Sequence, residues 1–316
     1  MTTTLTRPRV TTGDLLRVAW QRHRALVLVS TVLVVAAAVT IAFAGARTDA
    51  VLGSLPGFVL RVLWEPRDVN LLFGAAVAVF WGAPLVAREH EARTALVAWG
   101  QDVPPGRWLT GQVALLGAVA SCLAAVLWLA EVQLVDKIRE LSDDRLYQPF
   151  TTWFEVAPQL LVSYALFGFA LGAATGTLLR RTLPSMAVAL VVFGGARLAV
   201  MEWGREHFLP PVRTFEPWSD DHRSQVTDHA LYVDSGYADA NGVPIDYQDA
   251  WGCGDRVGSA GQLDCLKANG VAGHYADFQP VDRLDLFRWI EAGVFLVLAA
   301  GLLALAWYWV GRARRV

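Results

Sequence analysis

The sequence predicts an all-α membrane protein with six transmembrane helices and both termini in the cytoplasm. An N-terminal interfacial helix and a disulfide-containing extracytoplasmic domain between helices five and six complete the prediction. It rests on three observations: long blocks without a charge, an uneven distribution of arginine, and two cysteines in one acidic segment. Only 18% of the 316 residues are charged, and six long apolar blocks could not all be buried in a soluble core this small.

The six predicted spans follow from the length of the apolar blocks. A helix needs about 20 mostly apolar residues to cross the hydrocarbon core of a bilayer. Five blocks of about this length carry no charge, and a sixth is interrupted only by Arg197. The predicted spans are 25–44, 71–87, 109–130, 156–179, 186–201 and 292–310.

The distribution of charge predicts the orientation. One set of segments between the apolar blocks holds 13 arginines and 4 acidic residues, whereas the other set holds 12 basic and 24 acidic residues. The positive-inside rule places the first set in the cytoplasm. The first set is 1–24, 88–107, 180–183 and 311–316, and the second is 45–70, 131–157 and 202–286.

Two short segments are predicted to lie at the membrane surface. Residues 11–24 combine apolar side chains with Arg17, Arg22 and a terminal Trp20, which favours an interfacial helix over a merely basic flank. Residues 51–64 are apolar but too short to cross, so we expect an outer interfacial or re-entrant piece there. These expectations divide the chain into four parts. Residues 1–24 form a tail with an interfacial helix, and residues 25–201 form five spans, with a cytoplasmic loop at 88–107. The outer domain follows at 202–286, and the last span with a basic tail is at 287–316.

The outer domain contains Cys253 and Cys265. The extracytoplasmic side of a bacterial membrane is oxidising, so a disulfide is expected, and closing so short a loop would contribute about 3 kcal/mol in the chain-entropy model. A zinc site is the alternative, although the two cysteines lack the usual CxxC spacing.

Glycines recur every four residues in the fourth span, at Gly168, Gly172 and Gly176. Small residues at this spacing allow another helix to approach closely. Packing within one subunit and pairing between two subunits are both open interpretations.

Charged residues in or beside the outer ends of spans five and six are candidates for function. Arg197 lies about one turn from the end of its span, so its guanidinium is expected to reach the interface. Arg288 and Glu291 are three residues apart and are expected to pair at the interface.

Catalytic motifs are largely absent. There is no Walker A motif, so the chain is not expected to bind ATP in that way, and there is no GxSxG. His90 and Glu91 resemble the start of HExxH, but Thr94 occupies the position of the second histidine. We therefore predict no catalytic residues and no metal site in the chain. No nucleic-acid partner is expected either, because the arginine-rich segments lie at the predicted membrane edges.

Two stretches of the sequence form distinctive motifs. Residues 87–94 read AREHEART, 99–103 read WGQDV and 107–109 read RWL. Before the last span, Tyr275 is followed by QPVDR at 279–283 and FRWIE at 287–291. These motifs resemble the permease subunits of ATP-binding-cassette (ABC) exporters, in particular an actinobacterial branch, and the order of spans and the large outer segment also fit. The branch usually has Gln-Gly where this chain has Ala92 and Arg93.

The resemblance implies a mechanism and its partners. Two permease subunits would pair, as a homodimer or a heterodimer, and two copies of a separate ATPase subunit would bind beneath them in the cytoplasmic membrane of a bacterium. ATP and Mg would be bound by that ATPase, so this chain would need no cofactor. The loop between spans two and three would be the coupling helix that contacts the ATPase, and its residues would include Glu89, Glu91, Arg93, Thr94, Leu96 and Trp99.

The transported compound is predicted only by class, as hydrophobic or amphipathic: an antibiotic, a peptide or a lipid. One alternative is an ATPase-coupled sensor or resistance protein that acts on an extracellular ligand without transporting it. A membrane-embedded enzyme is the third alternative, and the lack of a catalytic motif disfavours it.

Overall fold

The computed structural model of the chain contains six helices that are long and apolar enough to cross a membrane, which confirms the number and position of the predicted spans. The helices are Thr12–Ala46, Asp68–Glu91, Pro105–Glu140, Pro158–Leu179, Thr182–His207 and Val281–Arg312. The structure describes residues 11–46, 66–92, 104–142, 148–151, 153–218, 229–245, 253 and 260–312. The segment 51–64, expected at the outer interface, lies outside these residues.

The chain divides into two compact units. The first contains residues 1–146, 155–201 and 288–316, and the second contains 147–154 and 202–287. The first unit is helical, whereas the second includes a β-sheet, so the protein is mostly rather than entirely helical.

Helix α1 (Thr12–Ala46) is continuous. The structure therefore corrects the expected separate interfacial helix, because the predicted segment is the first part of the first span. The physical reason is local: no glycine or proline occurs between Asp14 and Ala44 to break the helix. Its start is capped, since the Thr11 hydroxyl accepts a hydrogen bond from the Asp14 backbone N–H and donates one to the Asp14 carboxylate.

The second span consists of α2 (Pro66–Ala76), a π-helical segment (Val77–Gly82) and α3 (Ala83–Glu91). Pro84 lies at the start of α3 and has no backbone N–H, so the carbonyl four residues earlier lacks its usual helical donor. A wider π turn is a common way to continue a helix through such a point.

Helix α4 (Pro105–Ser142) packs along α1 in the same direction. Leu15 lies against Gly111 near one end of this pair, and Leu134 lies against Gly45 near the other. The first and third spans of a chain that crosses repeatedly must be parallel, so this packing agrees with successive crossings.

Helix α5 (Pro158–Leu179) is the centre of the first unit. In its most apolar stretch of 18 residues 89% are buried, against 17% in the corresponding stretch of α1. The remaining spans are α6 (Thr182–Ala199), which continues through a π segment (Val200–Gly204) and α7 (Arg205–His207), and α9 (Leu284–Arg312). Large apolar side chains stay exposed on these outer helices, including Leu183, Val191 and Val297. Such surfaces are stable against lipid and not against water.

The second unit is built on a four-stranded antiparallel sheet with the order β1-β4-β2-β3. The register shifts between Tyr232 and Asp234, as at a β-bulge. A disulfide joins Cys253 to Cys265, which lies on α8. The elements are β1 (Val212–Pro217), β2 (Leu231–Ala238), β3 (Pro244–Ile245), α8 (Ala260–Ala268) and β4 (Gly273–Gln279).

Candidate functional site

A buried charge cluster lies inside the helical unit. The Arg197 guanidinium lies 2.5 Å from the Glu155 carboxylate and 2.9 Å from that of Glu291. All three side chains are at most 3% exposed. The structure therefore corrects the expectation that Arg197 reaches the interface. The reason is that its partners are inside the helical unit, and a charge at this depth is stabilised by an opposite charge more than by a distant water layer.

The cluster is completed by an aromatic ring. Tyr164 donates a hydrogen bond of 2.6 Å from its hydroxyl to Glu291. The Arg197 guanidinium also lies over the Tyr164 ring, 3.5 Å from its centroid. Glu291 is thus bonded to α5 and α6 at once. Arg288, one turn earlier on α9, is half-buried.

A third carboxylate is buried nearby. Glu131 on α4 is 1% exposed, and it accepts a hydrogen bond of 3.3 Å from the Asn70 side-chain amide. Glu131 and Glu155 are close enough to interact electrostatically. Sequence reasoning missed both residues, because each lies just beyond an apolar block in a segment assigned to the outer loops. Their position next to those blocks is the signal that could have identified them.

The three repeated glycines of α5 face the second span of the same chain. A Cβ placed on Gly168 would meet the carbonyl oxygen of Gly74, and one on Gly172 would meet that of Ala78. A Cβ on Gly176 would meet the carbonyl oxygen of Ala83. This stripe therefore packs one helix against another within the subunit, in parallel orientation.

The end of the second span carries two of the predicted coupling residues. Glu89 is 1% exposed and pairs with Arg22 of α1. The structure therefore corrects the expected exposure of Glu89 for an ATPase, because this carboxylate is needed to neutralise an arginine within the subunit. Glu91 is exposed.

Glu91 connects two loops at one end of the unit. Its carboxylate accepts a 2.9 Å hydrogen bond from the Thr182 backbone N–H and a 2.6 Å hydrogen bond from the Thr182 hydroxyl. Thr182 begins α6 directly after a tight turn in which Arg180 adopts a left-handed conformation with φ of 54°. Glu91 thus caps the neighbouring helix. Four further predicted coupling residues lie outside the described residues: Arg93, Thr94, Leu96 and Trp99.

The contacts of the helical unit place the predicted cytoplasmic segments at one end. Arg22 meets Glu89, and Glu91 meets Thr182. A Cβ on Gly106 would meet the Trp307 ring, which brings the start of α4 to the end of α9. The described ends of the arginine-rich segments therefore lie together, as a common cytoplasmic face would require.

The second unit has its own ionic network. Arg213 and Asp277 face each other on neighbouring strands and form two hydrogen bonds of 2.7 Å. This pairing lowers the pKa of Asp277. Tyr275 donates a 2.8 Å hydrogen bond to Asp234, which raises the pKa of the Tyr275 phenol. Burial beside Trp218 and Tyr237 lowers the pKa of His274.

Metal ligands are not grouped in the part of the chain that the structure describes. The described residues include no group of three or more His, Cys, Asp or Glu side chains that could hold a metal ion. Charged side chains in this part of the chain serve in ion pairs and in capping, as Arg197 with Glu291 and Glu91 with Thr182 show.

Comparison with known proteins gives one match. Residues 61–205, slightly less than half of the chain, match the family described as ABC-2 membrane transporter related. No curated protein and no solved structure matches the chain. The matched region covers spans two to five, with the glycine stripe, Glu91 and Arg197. The match supports an ABC-2 type permease, the membrane component of an ABC transporter, and implies a partnership with an ABC ATPase subunit.

Proposed function

We propose that the chain is the membrane-spanning permease subunit of an ATP-driven ABC exporter. It moves a hydrophobic or amphipathic compound outward across the cytoplasmic membrane of a bacterium, in the actinobacterial branch of the family. The observation that carries the proposal is the family match over residues 61–205. ATP and Mg bind to two copies of a separate ATPase subunit.

The loop at 88–107 is proposed as the coupling element, now with a revised set of contacts. Arg93, Thr94, Leu96 and Trp99 remain proposed contacts of the ATPase. Glu91 is exposed and remains a proposed contact of the ATPase, and its cap on α6 also ties this loop to the turn between α5 and α6. Glu89 stabilises α3 against α1 through Arg22.

The packing supports a way of passing force into the membrane. The glycine stripe brings α5 into backbone contact with the second span, and contact this close leaves little freedom for sliding. The end of α3 is also bonded to the start of α6. A push on the coupling loop would therefore displace spans two, four and five together.

The orientation and assembly complete the proposal. The arginine-rich end of the helical unit faces the cytoplasm, together with both termini, and the unit with the disulfide is extracytoplasmic. Two permease subunits pair, as a homodimer or a heterodimer. Because the glycine stripe is occupied within the subunit, the pairing face lies elsewhere on the spans.

A second candidate function is an ATPase-coupled sensor or resistance protein without transport. The folded second unit favours it, since a unit with a four-stranded sheet and a disulfide is a suitable platform for an extracellular ligand. Export of candidate compounds from cells or vesicles, measured against ATP supply, separates the two functions.

The test is co-expression with the ATPase encoded beside the gene, followed by tag purification and measurement of ATP hydrolysis. We expect a stoichiometric complex whose hydrolysis or assembly is impaired by the pair of substitutions Arg93→Ala and Trp99→Ala. Glu140→Gln is the matched control, because Glu140 is exposed at the opposite end of α4. A well-folded protein that retains no ATPase in mild detergent would overturn the proposal.

A further inference from the structure

A cavity of about 90 Å³ opens between α1 and α3, at the end of the unit where the arginine-rich segments converge. Its polar wall is formed by Arg22, His23 and Arg88, and its apolar wall includes Leu26, Trp81 and Leu85. A single buried water needs only about 10–15 Å³ of such space, so the cavity has room for a group of several heavy atoms.

The polar and apolar walls follow the expected depth in the membrane. The uncharged block of α1 begins at Ala25, directly after Arg22 and His23. The uncharged block of the second span ends at Ala87, directly before Arg88. The cavity therefore lies where both helices change from polar to apolar, which is the level of lipid headgroups.

The polar wall has an excess of positive charge. No carboxylate among the described residues lines the cavity itself. Arg22 pairs with the buried Glu89 behind it, and the exposed Arg88 is close enough to interact with both Arg22 and Glu91. The buried Nε2 atom of His23 has no hydrogen-bond partner among the residues that the structure describes. An anion between these groups would compensate the positive charge and supply acceptor oxygens.

The apolar wall is held in place. The Trp81 indole N–H donates a 3.1 Å hydrogen bond to the Ser30 hydroxyl, which fixes the ring between the π-helical segment of the second span and α1. Phe80, beside it, is 57% exposed in the same span. An anion that carries an acyl chain would thus meet guanidinium groups first and then apolar side chains.

From these features we infer that the cavity binds the phosphate group of an anionic phospholipid, with Arg88 and Arg22 on the phosphate and the lipid chain along Leu26 and Phe80. Free phosphate shares the charged part of this chemistry but gains nothing from the apolar wall. The inference stands apart from the proposed export function, because it concerns a lipid bound at the membrane edge.

The test uses the full chain purified in detergent and titrated with phosphatidylglycerol, with bound lipid counted by native mass spectrometry. We expect one saturable site whose half-saturation concentration rises about tenfold in Arg88→Gln, since one charge-assisted contact is lost. Arg17→Gln is the matched control, because Arg17 is exposed on α1 and does not line the cavity. Arg88→Lys should restore part of the binding, and thermal unfolding without added lipid should be the same in Arg88→Gln as in the unmodified chain.

Two results would overturn the inference. An equal loss of binding in Arg17→Gln and Arg88→Gln would mean that the lipid responds only to overall surface charge. Displacement of phosphatidylglycerol by inorganic phosphate at a similar concentration would mean that the cavity is a general anion site rather than a lipid site. Phosphatidylcholine, which has the same phosphate but no net charge, should bind more weakly than phosphatidylglycerol.

Discussion

Arg197 of α6 lies 2.9 Å from Glu291 of α9, although 94 positions separate them in the chain. The same guanidinium lies 2.5 Å from Glu155, so this buried arginine is shared by two buried carboxylates. The cluster joins the fifth and sixth spans to α5 through Tyr164. Loss of the cluster should therefore weaken the packing of these three helices against one another.

Arg197→Met should strongly destabilise the helical unit. The substitution leaves Glu155 and Glu291 buried without their shared cation, which costs about 3–5 kcal/mol when one partner of a buried pair is removed. The measurement is thermal unfolding of the purified protein in detergent. Arg312→Gln, at an exposed position on the same helix as Glu291, is the control. Equal unfolding temperatures for Arg197→Met and the unmodified protein would contradict the structural role of the cluster.

Gly172→Ala should destabilise the packing of α5 on the second span by about 1–3 kcal/mol, as overpacking of a close contact does. The added methyl group would meet the carbonyl oxygen of Ala78 and the backbone of Ala83. Gly194→Ala on α6 is the matched control, because a Cβ there meets no atom within 4 Å. Replacing an unhindered helical glycine should be neutral or slightly stabilising. The comparison is again by thermal unfolding, and equal behaviour of the two variants would refute the packing argument.

The second unit should lose stability in acid through Asp277. Its pKa is lowered in the fold by the hydrogen bonds from Arg213, so the unfolded chain binds a proton more readily. The contribution is fully present above the unfolded pKa of about 3.9 and is lost as pH falls through the lower folded value. Hydrogen exchange of β1 and β4, corrected for intrinsic rates, should show this loss.

The matched variants for this pH effect are Asp277→Asn and Asp264→Asn. The first removes the titrating group between the strands. The amides of β1 and β4 should then be less protected from exchange at neutral pH, and their protection should change less in acid. The second removes an exposed carboxylate on α8 of the same unit and should retain the full response to acid. An unchanged acid response in Asp277→Asn would show that another group is responsible.

Reduction of the disulfide should both loosen the second unit and report its location. In the chain-entropy model, a loop of this size contributes about 3 kcal/mol. Intact cells treated with a membrane-impermeant reductant and then an impermeant maleimide should become labelled at Cys253 and Cys265. Cys122→Ser is the background for this experiment, since Cys122 is the free cysteine of α4. Labelling only after the cells are broken open would reverse the proposed orientation.

The six spans could be read from the sequence because the information is local. A block of about 20 uncharged residues is costly to place anywhere except a bilayer or a large core, whatever its neighbours. The same holds for the continuity of α1, which followed from the lack of a helix-breaking residue and was nevertheless missed. Trp20 and the basic residues beside it favour an interfacial helix in the sequence, although a helix can cross such a border without a break.

The partners of individual side chains depended on tertiary structure. Glycine spacing predicts that some helix approaches α5, but only the fold shows that it is the second span of the same chain. Arg197 and Glu89 each have one set of neighbours in sequence and another in space, because residues about 40 to 90 positions away supply the opposite charge. The sequence by itself therefore determined which segments enter the membrane, since that depends on the sum of transfer free energies along a segment. Only the tertiary structure decided which charges are buried, since that depends on compensation between segments distant in the chain.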